Sequence, residues 1–385
     1  MKIVGIICEY NPFHNGHARQ LGLAREVAGA DGAIVCAMSG SFVQRGAPAV
    51  FSKALRAESA VACGADLVLE LPVNYALSSA EGFAAGGVKI LDQVCDLLCF
   101  GSETGSADQM MATAQILLSP DFSVFLRQQL DAGLSFPAAR QRALERMGAD
   151  ASLLSRPNDI LAVEYCKAIL SQNSTMAPLP ICRGGDYHAE VPDVAQPSAT
   201  SLRQLILQGL PTAPYVPEEA AKIFDGAAVH TLAAGERAML CRLRTMTDGE
   251  FEALPYGSEG LWRKLMRESR RQATLEEILT AVKSKRYTRT RLDRMVLCAF
   301  LGLDQAALDA PPDYTRVLAF NDRGRQILAQ HRDSGTFLHA GEAVDHPHWA
   351  VERRCEDLYG LFAENTPEPA GQAQRERVGY IHSRH

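Results

Sequence analysis

At 385 residues the chain is longer than one ordinary hydrophobic core organises, so two domains are the first expectation. Hydrophobic residues at 47% and charged residues at 22% exclude a disordered chain, and no apolar run approaches the ~18 residues of a membrane span. The net charge of −6 argues against a polyanion partner for the molecule as a whole.

The first hundred residues alternate short apolar runs (3–8, 33–38, 67–71, 97–100) with helical patterns near 16–28, 53–63 and 78–91. That order predicts an α/β fold with buried parallel strands and helices on both faces. Ser78 and Glu81 read as a capping box for the third helix, and Gly64 as the stop of the second. Ligands of such sheets sit at the carboxyl ends of the strands, so the turns after Cys8, Met38, Leu71 and Phe100 matter most. A helical stretch spans 107–172, a strand is expected at 180–183, and Ser198-Ala199-Thr200-Ser201 opens a further helix. Strand signals then fade. Pro211, Pro214 and Pro217 mark a linker, which divides the chain into 1–209 and a mostly helical 210–385. Ten scattered cysteines without a Cys-x-x-Cys pair read as reduced thiols of a cytoplasmic protein.

The sharpest local signal is the first strand followed by Asn11-Pro12-Phe13-His14-Asn15-Gly16-His17 and a helix. A helix N-terminus attracts phosphate through its free N–H groups and dipole, and Gly16 leaves room for close approach. His14 and His17, three residues apart, share one side of the first turn and can donate to phosphate oxygens as charge builds in a transition state. Two surface histidines on a loop are the plain alternative; a metal-binding pair lacks a nearby carboxylate or thiolate pattern. Neither a G-x-G-x-x-G fingerprint nor a Walker A loop occurs. Gln44 and Arg45 offer donors in the next strand-end loop, unless that loop is merely structural, and Lys53 and Arg56 read either as a clamp for polyphosphate or, more commonly for lone cations, as solvated charges. Gly101 ends a strand where adenine or ribose could lie against backbone. Asn158 reads as a helix N-cap or a ligand, and Arg183 as a phosphate or base contact or a surface salt bridge.

The charge is uneven. Residues 261–294 hold eleven Lys and Arg against four Asp and Glu, a net +7, which leaves −13 on the remainder. Within this island Lys285, Arg286, Tyr287, Arg289 and Arg291 combine cations for phosphate with a ring for stacking, which favours RNA contact over a solvated helix face. These residues point to an enzyme that attacks the α-phosphate of ATP, with a small-molecule adenylyltransferase and a non-catalytic nucleotide-sensing RNA-binding protein left open.

The His-x-Gly-His turn is that of the nucleotidylyltransferase superfamily, which implies a Rossmann-like catalytic domain over 1–209. Over essentially its full length the chain further resembles the bacterial tRNA(Met) cytidine acetate ligase family. The resemblance rests on residues 5–17, Met38-Ser39-Gly40, Gln44-Arg45-Gly46, Leu69-Glu70-Leu71-Pro72, Phe100-Gly101-Ser102-Glu103, Ser198-Ala199-Thr200-Ser201 and residues 285–291. Departures fall at Ser41, Ala47 and around residues 52–54. The resemblance implies that acetate attacks the α-phosphate of ATP. The acetyl-adenylate then acetylates N4 of the wobble cytidine of elongator tRNA(Met), giving N4-acetylcytidine, AMP and pyrophosphate. It implies an ATP site of Ile7, Cys8, Glu9, Tyr10, Asn11, Pro12, Phe13, His14, Asn15, Gly16, His17, Ala18, Arg19 and Gln20, with Gly101, Asn158 and Arg183. His14 and His17 are its catalytic pair. Mg2+ is expected on the β- and γ-phosphates, without a carboxylate cage of the protein's own. No membrane and no protein partner is implied.

Overall fold

The computed structural model describes residues 1–182 and 197–382. Its strands are β1 (Ile3–Cys8), β2 (Ala33–Ser39), β3 (Phe42–Val43), β4 (Ala47–Pro48), β5 (Leu67–Leu71), β6 (Leu97–Ser102), β7 (Ala177–Cys182), β8 (Thr315–Phe320), β9 (Phe337–His339) and β10 (Gly379–Tyr380). The main sheet runs β10-β8-β5-β2-β1-β6-β7, with β9 also paired to β8. β1 lies at its centre, parallel to β2 on one side and β6 on the other. The chain winds outward from β1 through β2 and β5, then returns to place β6 and β7 across it. β1 and β6 therefore flank the topological switch point, where the strand ends leave a crevice.

Alternation along β1 explains the layers. Ile3 and Ile7 join a core with helices Ala80–Leu91 and Pro157–Ser171; Val4 and Ile6 face helices Asn15–Ala28 and Lys53–Ala62. A Cβ at Gly87 would overlap the Ile7 side chain, so this glycine sets how closely its helix approaches β1. Gly64, at φ +120°, ends the helix Lys53–Ala62 as expected. The Rossmann-like α/β architecture agrees with the sequence, and no helix among the described residues is long and apolar enough to cross a membrane.

Three local readings are corrected. Ser79, not Ser78, caps helix Ala80–Leu91, accepting from the Gly82 amide; Glu81 turns outward to Lys167, and Ser78 donates to the Tyr75 carbonyl. Residues 107–172 form four α-helices broken at Ser119–Pro120, around Gly133 and around Gly148. Strands do recur after Gly209: β8 pairs antiparallel with β5, and β9 and β10 pair with β8. A second core gathers helices Leu232–Thr245, Leu261–Ser269, Leu275–Val282, Arg289–Leu301 and Pro347–Tyr359, and Phe42 and Leu77 from the first half enter it. Sheet and second core thus each draw on both sides of residue 209.

Candidate active site

The site begins where β1 ends. Tyr10 adopts φ +44°, a conformation costly for a residue with a Cβ, and is held there by burial of its ring against Phe13 at 4.9 Å and His17 at 4.8 Å. The Asn11–Pro12 peptide is cis. Asn11 Oδ1 accepts from the Val50 amide at 2.8 Å, and its carbonyl accepts from Arg203 at 2.7 Å. His14 is the N-cap of helix Asn15–Ala28. Its Nδ1 accepts from the Gly16 amide at 3.1 Å, and its carbonyl accepts from the amides of His17 and Ala18. The His14 and His17 rings stack with centroids 3.6 Å apart and planes 18° off parallel.

That geometry selects a tautomer. A neutral His14 that accepts at Nδ1 carries its proton on Nε2, so the remaining nitrogen is a donor. It also refines two expectations. The Gly16 amide is capped by His14, and a Cβ on Gly16 would lie 3.0 Å from His14 Cε1, so this glycine makes room for the imidazole. His14 itself is only 2% exposed, so it is no surface residue.

A cleft of 390 Å3 opens over this turn. Of the expected nucleotide residues, Ile7, Cys8, Glu9, Tyr10 and Asn11 line it, followed by His14, Gly16, His17, Arg19 and Gln20. Gly101 and Asn158 form part of the opposite wall. Pro12, Phe13, Asn15 and Ala18 do not line it. Pro12 and Phe13 are buried, Ala18 packs against the core from within helix Asn15–Ala28, and Asn15 donates to the Pro214 carbonyl at 3.0 Å. Arg183 lies outside the described residues.

The cleft has two characters. Phe83, Phe100 and Tyr165 supply apolar surface, and Arg19, Arg45 and Arg203 supply positive charge, with Gln44 as a further polar group. Arg203 and Glu103 escaped the sequence reading as site residues. Arg203 sits one turn into helix Ala199–Leu207, whose N-cap Ser198 accepts from the Ser201 amide, so that helix start was the available signal. Asn158 is not the N-cap of helix Pro157–Ser171; Arg156 is. Glu103 supplies the missing cap, accepting from the backbone of Asn158 and Asp159 and from Asn158 Nδ2 at 2.8 Å. A carboxylate at a helix N-terminus complements the dipole. Glu9 Oε1 accepts from the Gln44 amide at 2.7 Å, and burial pushes its carboxyl above the usual range against the pull of that amide and of Arg203, Arg56 and Arg45.

Lys53 and Arg56 cannot clamp polyphosphate. Arg56 is fully buried and donates to the carbonyls of Glu9, Ser39, Gly40 and Phe51. Lys53 lies 2.9 Å from Glu70 and 3.1 Å from both Glu356 and Glu376. These two cations tie the strand-end loops to each other and to the C-terminal residues. Ser41 joins them, donating to Glu356 at 2.7 Å.

The island residues are placed around helix Arg289–Leu301. Arg286 and Tyr287 contact Glu259; Arg289 forks onto Glu276 and reaches Asp293; Arg291 donates to the Tyr256 carbonyl and lies over the Tyr287 ring. Lys285 is exposed. The helix meets the cleft-edge loop directly. A Cβ at Gly46 (φ +79°) would overlap the backbone of Asp293 and Arg294, and Arg294 donates to the Gln44 carbonyl at 3.3 Å.

A parallel sheet with a His-x-Gly-His turn at its switch point defines a nucleotidyl transferase, and residues 1–374 match the profile of the HIGH Nucleotidyl Transferase family. Within it, the chain belongs to the tRNA(Met) cytidine acetate ligase family. A tRNA(Met) cytidine acetate ligase of Acetivibrio thermocellus is 36% identical over 86% of this chain and 85% of its own. One from Alkaliphilus metalliredigens is 35% identical over 97% of each chain, and one from a Geobacillus species 37% over 96% of each. The apo crystal structure of Thermotoga maritima TmcAL superposes over all of both chains with a TM-score of 0.90 at 28% identity. The same protein bound with alpha-thio ATP gives 0.87.

Proposed function

We propose that this chain is an ATP-dependent carbon–nitrogen ligase of the cytoplasm that acetylates N4 of the wobble cytidine of elongator tRNA(Met). One observation carries the chemistry: His14 and His17 stack at a helix N-terminus in a cleft on the switch point, with Nε2 of His14 fixed as a donor.

In the first step an acetate oxygen bonds to the α-phosphorus of ATP and the bond to the β-phosphate bridge breaks, releasing pyrophosphate. Acetate is a weak nucleophile, so the protein's part is alignment and charge stabilisation. His14 Nε2 and His17 donate to oxygens on which charge grows. Arg19, Arg45 and Arg203 line the cleft and neutralise the departing pyrophosphate. The nucleotide contacts comprise Ile7 to Gln20 with Gly101, Asn158 and Arg183. Pro12, Phe13, Asn15 and Ala18 act by shaping the turn. In the second step the N4 amine attacks the acetyl carbon, the acyl–oxygen bond breaks, and AMP leaves. We assign the released N4 proton to Glu9. Both oxygens of Glu103 are taken by the helix it caps, whereas Glu9 lines the cleft with its Oε1 on the Gln44 amide.

Mg2+ enters this reading with its substrate. No group of three or more His, Cys, Asp or Glu among the described residues could hold a metal, so the ion would rest on the β- and γ-phosphates and water, and no step above runs through it. The tRNA would reach from the cleft to Lys285, Arg286, Tyr287, Arg289 and Arg291, as the contact of helix Arg289–Leu301 with the Gln44–Gly46 loop favours. The reading keeps ATP chemistry on 1–209 and tRNA contact on 210–385.

The test supplies unmodified elongator tRNA(Met) with ATP and acetate in one tube and with acetyl-CoA alone in another. N4-acetylcytidine, AMP and pyrophosphate should appear together in the first tube only, with propionate a poorer donor than acetate. Acetylation from acetyl-CoA without ATP would overturn the mechanism.

A further inference from the structure

The island has a second half, before Lys285, in which two arginines lack ion-pair partners among the described residues. Helix Leu261–Ser269 buries Leu261 and Leu265 and turns Arg263 and Arg267 outward; Arg270 and Arg271 follow it, also exposed. These four arginines, with Trp262, Met266 and Asp248, line an open groove of 520 Å3. Arg267 is tied to Glu268 and Arg270 to Asp248, each at 2.8 Å. Arg263 and Arg271 have no ion-pair partner among the described residues, and the Arg263 guanidinium lies 4.8 Å from the half-buried Trp262 ring centre. Arg286 and Arg289, by comparison, pair with Glu259 and Glu276 in solvent.

We infer that this groove is a second tRNA contact, taking phosphates of an unpaired strand on Arg263 and Arg271 with a base against Trp262. The inference rests on the tRNA reading above and adds a surface to it. Two features select RNA over an acidic protein segment. The charge is arginine, whose planar fork matches phosphate. An indole and a thioether floor the groove, and a base gains from stacking there while a carboxylate side chain does not. The acidic remainder of the chain repels a polyanion elsewhere, so a local cationic strip also orients the docking.

The experiment uses the full chain and binding of unmodified elongator tRNA(Met) across a KCl series. Arg263→Ala with Arg271→Ala should lower the log–log salt slope by about 1.4, the loss of two single-strand phosphate contacts. Trp262→Leu should weaken binding about 5- to 150-fold while leaving the slope alone, because stacking releases no counterion. ATP affinity should be unchanged in both, and circular dichroism checks folding. If Trp262→Leu misfolds, the exposed arginine pair still decides. A wild-type chain that acetylates tRNA, beside an arginine variant with unchanged slope and affinity, would overturn the groove and leave the ligase reading standing. A wild-type chain that binds no tRNA would overturn both. Poly-glutamate binding that the arginine variant abolishes, with tRNA binding untouched, would reassign the groove to an acidic protein segment.

Discussion

Lys53 and Arg56 at the start of one helix, and Arg286 and Arg289 near the start of another, are the same chemical types in opposite surroundings. The first pair is sealed: Arg56 is 0% and Lys53 4% exposed, and their partners are carbonyls and carboxylates contributed by distant segments. The second pair meets its carboxylates in solvent, where an ion pair is worth little and exchanges readily for another anion. Position in sequence near a phosphate-binding turn does not make a cation a phosphate ligand. What decides is whether folding leaves its hydrogen-bonding capacity open.

The sharpest test of that contrast is Lys53→Met. It leaves Glu70, Glu356 and Glu376 facing one another without their shared cation, which should cost about 3–5 kcal/mol in urea unfolding. A loss of ATP affinity without loss of stability would place Lys53 in the nucleotide site after all. His17→Ala comes next: pyrophosphate release should fall about 10²–10³-fold with folding nearly unchanged. His14→Ala should lose as much activity and a further ~1 kcal/mol of stability, because it also removes the helix cap. Near wild-type release from either variant would sink the histidine assignment.

The buried junction should also show in pH dependence. Burial pushes Glu70 up to about 8, with Lys53 pulling it down and Glu356 and Glu376 pushing it up. Between about 4.5 and 8 the folded chain keeps a proton that the unfolded chain has lost, so stability should fall as pH rises through that window, by at most about 1.4 kcal/mol per unit. Glu70→Gln, which fixes the neutral form, should flatten the slope; an unchanged slope means that Glu70 is ionised throughout. The smallest effect belongs to the exposed pair. Arg286→Ala with Arg289→Ala should reduce the tRNA salt slope by about 0.7–0.9 per lost contact and leave ATP affinity and stability nearly unchanged. Unaltered binding across salt would reduce this part of the island to a solvated face.

How much of this was legible in sequence depended on how local the cause is. β1 and β5 were readable to the residue, because a buried parallel strand is a bare apolar run. The His14–His17 turn was readable because its parts lie within four residues. β8 was hidden by Arg316, whose charge breaks the apolar run yet is 4% exposed in the fold, paired to Glu352 at 2.9 Å. β10 is too short to leave a pattern. The roles of Lys53, Arg203 and Glu103 depend on partners that only tertiary packing brings near, and no spacing rule reaches Glu356 from Lys53.

The antiparallel strand β8 also carries a consequence for biosynthesis. β5 is complete when residue 71 leaves the ribosome, but its outer neighbour ends at residue 320. At roughly 5–20 residues per second, that is about 12–50 s during which the nascent sheet presents an apolar strand with an unpaired row of amides and carbonyls. Such an edge invites pairing with a neighbouring polypeptide on the same polysome. The pace of translation through the intervening helices therefore sets how long β5 stays open to such pairing, whatever the stability of the finished fold.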